Sequence, residues 1–252
     1  MHAFSGKSVR VAALAGFVAA AAIGAARRRT NEPIPENPTD IRHRVVVLGA
    51  GFGGLATALA LDRRLGARRD VDVLVVDRDN ALVFTPLLWT VADGRADASN
   101  VVAPVRDFQR GRRFRMLHAE VKQIDLDRRE VATSAGPVPY DTLVVALGSV
   151  AALPNLPGLR DHARVFDTTA DAVGLRNRLI DAVETAKTCD DPVERRAWLT
   201  FVVGGGGDTG VEVAATIRSY LTEGLLAAYP WLETETPRIV IVGHAERLMP
   251  MS

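Results

Sequence analysis

The sequence of 252 residues is 48% hydrophobic and has a formal net charge of +1, its Lys and Arg nearly balanced by Asp and Glu. That is enough chain to bury one large core or two modest ones, and it lacks the basic bias that a nucleic-acid partner would require. The single cysteine, Cys189, excludes an internal disulfide and a Cys-x-x-Cys redox pair, and the five histidines are dispersed without ligand spacing, so no metal site is expected.

In chain order, the first predicted element is the uncharged run VAALAGFVAAAAIGAA at 11–26, between Lys7 and Arg10 on one side and three arginines on the other. It is slightly shorter than the roughly 20 apolar residues that span a bilayer, and snorkelling of Arg10 and Arg27 would extend it. Two readings stand: a retained membrane anchor, or a secretory signal cleaved after AIGAA, against which the arginines that follow weigh. Residues 1–29 are therefore taken as an N-terminal apolar helix. Residues 30–42, polar and proline-rich, are taken as a linker.

RVVVLGAG follows, a run of β-branched residues that predicts a buried parallel strand. It ends in Gly49-x-Gly51-x-x-Gly54 and leads into the helical LATALALDRRL. The next apolar run, VDVLVVD, closes on Asp77, roughly 20 residues beyond Gly54, where a dinucleotide-binding βαβ unit carries its ribose-binding acid. Gly49 makes the turn, Gly51 lets backbone approach a pyrophosphate, and the helix N-terminus offers free N–H groups to it. The RGRRFR loop at 110–115 reads as a solvated surface. Beyond it, short alternating strands with a turn at Ala135-Gly136-Pro137 predict a small antiparallel insertion before a buried strand that ends at Gly148. Such an insertion suits a flavin-nucleotide domain better than a simple dehydrogenase.

DTTADAVGLRNRLIDAVETAK then offers a capping box, Thr168 with Asp171, and one apolar helical face at Ala172, Leu175, Leu179, Val183 and Ala186. WLTFVVGGGGDTGVEVAATI repeats the strand–glycine–helix pattern with Gly205, Gly207 and Gly210, and RIVIVG at 238–243 supplies the next strand. The expectation is an α/β protein with two Rossmann-like dinucleotide-binding domains, 43–165 and an incomplete 166–252. One would hold a flavin and the other admit a nicotinamide nucleotide that reduces it.

VVVLGAGFGGLATALAL, VDVLVVDRDNALVFTPLLW, APVRDF, YDTLVVALGS and FVVGGGGDTGVEVA together resemble the type II NADH dehydrogenases, single-subunit flavoproteins that pass electrons from NADH through FAD to a membrane quinone. The resemblance implies that Gly49, Gly51, Phe52, Gly53, Gly54, Asp77 and Arg78 hold the ADP half of FAD. It implies Pro86 and Leu87 near the flavin ring, Val121 near the adenine, and Ala146 and Gly148 beside the pyrophosphate. Gly205, Gly207, Asp208, Thr209 and Gly210 would cradle NADH or NADPH, with Glu212 as the candidate catalytic group near the nicotinamide. A surface carboxylate favouring the helix dipole is the other reading of Glu212.

Three departures from the family pattern matter. Asp208 stands where a proline is usual, and it would repel a phosphate unless turned outward as a helix cap. Leu147 replaces a threonine. Gly243 falls where an acid is expected at the end of the second strand, with His244, Glu246 and Arg247 following. Family members continue well beyond Ser252, so the resemblance implies a C-terminally truncated chain. The expected partners are NAD(P)H, a quinone and the cell membrane, with the nucleotide domains facing the cytoplasm and a homodimer left open. The alternatives are a truncated non-catalytic remnant that binds nucleotide weakly, or another cysteine-independent NAD(P)H–flavin reductase.

Overall fold

The computed structural model describes residues 41–65, 68–244 and 247–249. The apolar run at 11–26 lies outside them; among the described residues no helix is long and apolar enough to cross a membrane. The chain divides into two compact units. Among the described residues, those up to Phe84 together with Val102–Val150 belong to one; Thr85–Val101 and those from Ala151 onward belong to the other.

In the first unit, β1 (His43–Leu48), β2 (Val71–Asp77), β5 (Arg115–His118) and β9 (Thr142–Val145) form a parallel sheet in the order β5-β2-β1-β9. β1 is central, and its last four residues are all buried, as a strand covered on both faces must be. The two-residue side-chain period then sorts the core. Val45, Val47, Val73 and Val75 pack with Leu55 and Ala58 of helix α1 (Phe52–Leu65). Val46, Leu48 and Val76 pack instead with Val131 and Tyr140, beneath the antiparallel sheet of β6 (Val121–Asp125), β7 (Glu130–Thr133) and β8 (Gly136–Pro139). The antiparallel insertion is therefore a lid over one face of the parallel sheet. A short ribbon of β3 (Ala81–Val83) and β4 (Val102–Pro104) completes the unit.

The loop at 110–115 is not simply solvated, as its charge had implied. Phe114 is buried in the core beneath α1. The Arg113 N–H donates to the buried Asp62 carboxylate at 2.9 Å, and Arg115 grips Asp72 with Nε at 2.9 Å. Basic residues flanking a large apolar side chain are drawn down with it, and each then needs a partner for its buried polar atoms.

The second unit contains α2 (Thr169–Thr188), α3 (Pro192–Trp198), β10 (Thr200–Gly204), α4 (Asp208–Ser219) and β11 (Arg238–Val242), with β10 and β11 paired in parallel. The capping box is present: the Thr168 hydroxyl accepts from the Asp171 N–H at 3.1 Å, and the Asp171 carboxylate accepts from the Thr168 N–H at 2.8 Å. Burial pulls the Asp171 carboxyl upward, but the hydrogen bonds from Thr168 and Asp167 outweigh it and hold it below its ordinary value. Leu179, Val183 and Ala186 of α2 meet Val203, Ala214 and Ile217 in one core. The chain continues from α4 through a wider helical turn, Tyr220–Gly224, where Gly224 leaves room for the Tyr220 ring that a Cβ would meet at 2.7 Å. The excursion at 85–101 is fastened to this unit. Arg95 pairs with the buried Asp93 at 3.1 Å, donates to the Ser219 hydroxyl at 2.7 Å and lies over the Trp89 ring.

Candidate dinucleotide-binding sites

The first glycine turn is built by close approach. Gly49 follows β1 at φ +100°, its N–H donating to the Val76 carbonyl at 2.8 Å, and a Cβ on it would lie 2.1 Å from the Ala146 carbonyl oxygen. Gly54, one turn into α1, would place a Cβ 1.8 Å from the Gly49 carbonyl oxygen. Only glycine lets strand, turn and helix meet this tightly. Gly51 differs: nothing lies within 4 Å of its would-be Cβ, so the space above it is open. Its carbonyl accepts the Leu55 N–H at 2.9 Å as α1 begins, leaving the amides of the first turn without intrahelical acceptors.

Asp77 closes this turn from the end of β2. Its carboxylate accepts from the Ala50 N–H at 2.5 Å and from the Asp79 N–H at 2.8 Å. Each oxygen keeps a further lone pair for a ribose hydroxyl. Nearby, Phe52 is half exposed and meets Phe84 edge to face, ring centroids 5.4 Å apart. Ala146 donates its N–H to the Leu48 carbonyl and places its Cβ 3.9 Å from that of a residue built at Gly53. Gly148 lies beyond it at φ +74°. The structure thus brings Gly49, Gly53, Gly54, Asp77 and Ala146 together. Arg78 is exposed, its carbonyl hydrogen-bonded to His118 Nε2 at 2.6 Å. Val121 is half-buried at the start of β6, and Pro86 and Leu87 sit in the helical turn Thr85–Leu87 of the other unit.

The second turn repeats the first position by position. Gly205 follows β10 at φ +104°, with its N–H on the Val242 carbonyl at 2.7 Å. A Cβ on Gly210 would lie 2.0 Å from the Gly205 carbonyl oxygen, and Gly207 faces open space. The Val211 N–H donates to the Gly207 carbonyl at 3.0 Å, as Leu55 does to Gly51. Asp208 does not cap α4: Gly207 holds the N-cap position with no side-chain bond, and Asp208 is the first residue of the helix. Its backbone is already helical, so its carboxylate stands exposed beside the first-turn amides without folding back onto them. Thr209 is exposed next to it. Glu212 lies a full turn into α4, exposed, its carbonyl accepting the Thr216 hydroxyl at 2.7 Å.

Pattern reading did not foresee two features. Asp77 clamps the turn by accepting from the Ala50 N–H. Residues 247–249 return to the second turn, where the Met249 N–H donates to the Gly206 carbonyl at 2.7 Å and Leu248 packs on Gly206. No local sequence signal marks that return. A groove of about 670 Å³ in the first unit, lined by His43, Thr57, Leu61, Arg68 and Thr142, lies at the strand beginnings, the opposite end from the glycine turn. In open parallel sheets ligands bind at the carboxyl ends, so the groove is not the dinucleotide site.

The pattern of the pyridine nucleotide-disulphide oxidoreductase family matches residues 43–252. The type II NADH:quinone oxidoreductase NdhA of Mycobacterium tuberculosis is 35% identical over 214 residues, covering 83% of this chain and 44% of the relative. The mitochondrial external alternative NAD(P)H-ubiquinone oxidoreductase B1 of Solanum tuberosum is 36% identical, covering 84% of this chain and 38% of the relative. The chain thus spans less than half the length of these curated relatives. Among solved structures, NDH2 of Plasmodium falciparum in complex with NADH superimposes with a TM-score of 0.72 at 24% identity, over 82% of this chain and 43% of that one, which shows a shared fold. The chain belongs to the pyridine nucleotide-disulphide oxidoreductase family.

Proposed function

We propose that this chain is the nucleotide-binding part of a flavoprotein that takes hydride from NADH or NADPH onto FAD and passes electrons to a membrane quinone. The observation that carries the reading is the duplicated turn: Gly49, Gly51 and Gly54 recur as Gly205, Gly207 and Gly210 with the same positive φ, backbone contacts and open space. The activities for which the M. tuberculosis and S. tuberosum relatives are named support a quinone as acceptor.

The residues fit an adenine dinucleotide at each turn, because the backbone atoms at Gly51 and Gly207 are uncovered while the helix N-termini beside them keep free amides. At the first turn Gly49, Gly51, Phe52, Gly53 and Gly54 would hold the FAD pyrophosphate, with Asp77 accepting from ribose hydroxyls. Arg78, Val121, Ala146 and Gly148 would border the same nucleotide, while the assignment of Pro86 and Leu87 to the flavin ring rests on the family resemblance alone. At the second turn Gly205, Gly207, Thr209 and Gly210 would hold the nicotinamide nucleotide, and Glu212 would orient its reactive end. When bound, FAD supplies a ring able to accept a hydride and release electrons to a quinone. The protein's share of the work is to fix orientation.

Thiol chemistry has no part in this reading. The Cys189 thiol points to the Asp191 carbonyl, and burial together with the neighbouring Glu194 pushes its pKa up, away from the nucleophilic thiolate. Residues 11–26 would hold the protein on the membrane with the nucleotide domains in the cytoplasm, and its assembly as a monomer or homodimer follows from sedimentation. The deciding experiment is an anaerobic visible spectrum of the FAD-loaded protein. Bleaching of the flavin band on adding NADH and its return on adding a soluble quinone are expected. A protein that takes up no flavin overturns the reading.

A further inference from the structure

From the register of the two parallel strand pairs, the geometry points to a nicotinamide-nucleotide site that accepts the 2′-phosphorylated dinucleotide, NADPH, alongside NADH. The inference rests on the second turn being the nicotinamide site and names which form of the nucleotide it takes.

Leu48 pairs with Val76 in the first unit, and Gly204 pairs with Val242 in the second. Gly49 bonds to Val76, and Gly205 bonds to Val242. The residue after each partner is therefore equivalent: Asp77 in the first unit, Gly243 in the second. Asp77 reaches the Ala50 N–H at 2.5 Å. At the second turn the corresponding amide is that of Gly206, and a Cβ built on Gly243 would stand 3.3 Å from its nitrogen. A side chain at 243 would thus project onto the same amide, at the cost of a shift of a few tenths of an ångström. Gly243 is not in the left-handed region, so its backbone makes no demand for glycine. What glycine does here is remove the carboxylate.

That carboxylate matters because at this position an acid accepts from the adenosine 2′-hydroxyl and repels a 2′-phosphate. Discrimination against a ligand often depends on such a repulsive group. Near the same turn the described residues 247–249 bring one cationic side chain, Arg247. The Met249 N–H donates to the Gly206 carbonyl at 2.7 Å, with Met249 at φ +49°, and Leu248 packs on Gly206. A non-glycine residue is held in the left-handed region only where its surroundings fix it. Arg247, exposed, directly precedes Leu248, which packs on Gly206, and His244 directly follows Gly243. A guanidinium is the group that recognises a phosphate through paired hydrogen bonds.

The test is isothermal titration of the FAD-loaded chain with NADP+ and NAD+, which carry the same adenosine halves as NADPH and NADH but cannot reduce the flavin, so that binding is read without hydride transfer. Dissociation constants within about tenfold of each other are expected. Gly243→Glu should weaken NADP+ relative to NAD+ by roughly 10- to 100-fold, the scale of one charged hydrogen bond gained or one repulsion imposed. Arg247→Gln should weaken NADP+ selectively. Native binding of NAD+ with more than about 100-fold exclusion of NADP+ overturns the inference alone, as does a nucleotide ratio unmoved by both variants. So does a Glu246→Gln variant that relaxes an existing NAD+ preference, since Glu246 would then be supplying the carboxylate. Failure of either nucleotide to bind while FAD remains bound overturns the nicotinamide-site reading and this inference with it.

Discussion

The two glycine turns are nearly the same object made twice, and they differ where a ligand's ribose would lie. In both, a glycine at φ near +100° bonds to the neighbouring strand, a second glycine faces open space, and a third lets the helix touch the turn. Among the described residues only the first turn is braced by an acid, Asp77 on the Ala50 N–H. Only the second has an acid in the first turn of its helix, Asp208, where α1 has none. Close-packed backbone therefore sets the shape of such a turn, while the side chains at its rim are free to diverge. Under the roles proposed above, the braced turn would serve a permanently held nucleotide and the other an exchanging one.

The strongest way to break the comparison is to fill the third glycine. Gly54→Ala and Gly210→Ala would each drive a Cβ to about 2 Å from a backbone oxygen, which no rotamer relieves. Each should cost about 3 kcal/mol or more of stability, seen as a fall in the chemical-denaturation midpoint. The first should abolish FAD uptake and the second nicotinamide-nucleotide binding. A tolerated alanine at either place would show that helix and turn do not touch as described.

Asp77→Ala comes next and acts on one turn only. It strips the acceptor from the Ala50 and Asp79 amides and should cost about 1–3 kcal/mol, with weaker flavin retention on dialysis. An unchanged stability would mean that water replaces the carboxylate and that the two turns are braced alike.

Smaller effects sharpen the contrast at the second helix. Asp208→Asn removes a negative charge from the N-terminus of α4 and should lower stability by about 0.3–1 kcal/mol. It should also tighten binding of the nicotinamide nucleotide, because a like charge near a phosphate is lost. Tightening that disappears at high salt would identify the effect as electrostatic, whereas weakened binding would show that Asp208 contacts the ligand productively.

The least change in the fold is expected from Gly51→Ala and Gly207→Ala, since no atom lies within 4 Å of either Cβ. Thermal unfolding of the ligand-free protein should move by the equivalent of about 0.5 kcal/mol or less. Affinity for the nucleotide at the altered turn should nonetheless drop, because the methyl group occupies space a pyrophosphate would use. Stability lost without ligand would mean that these glycines serve packing, like Gly54 and Gly210.

Much of this was legible in the residues because it is local. A β-branched run, three spaced glycines and a helix specify the turn wherever they occur, since the steric demand of each glycine is met by atoms a few positions away. The Thr168–Asp171 capping box was readable for the same reason, its partners being three residues apart. What the tertiary structure alone decided lies further along the chain. Sequence periodicity places Val46 and Val47 on opposite faces of β1, but only the packed molecule shows that one faces the antiparallel lid and the other α1. The arginines around Phe114 look like surface until that ring is seen in the core. The register that makes Gly243 the counterpart of Asp77, and the return of Met249 to Gly206, depend on which strands pair and where a loop lands. Those are non-local choices, and they are made by the burial of whole elements against one another, which the pattern of a short segment does not record.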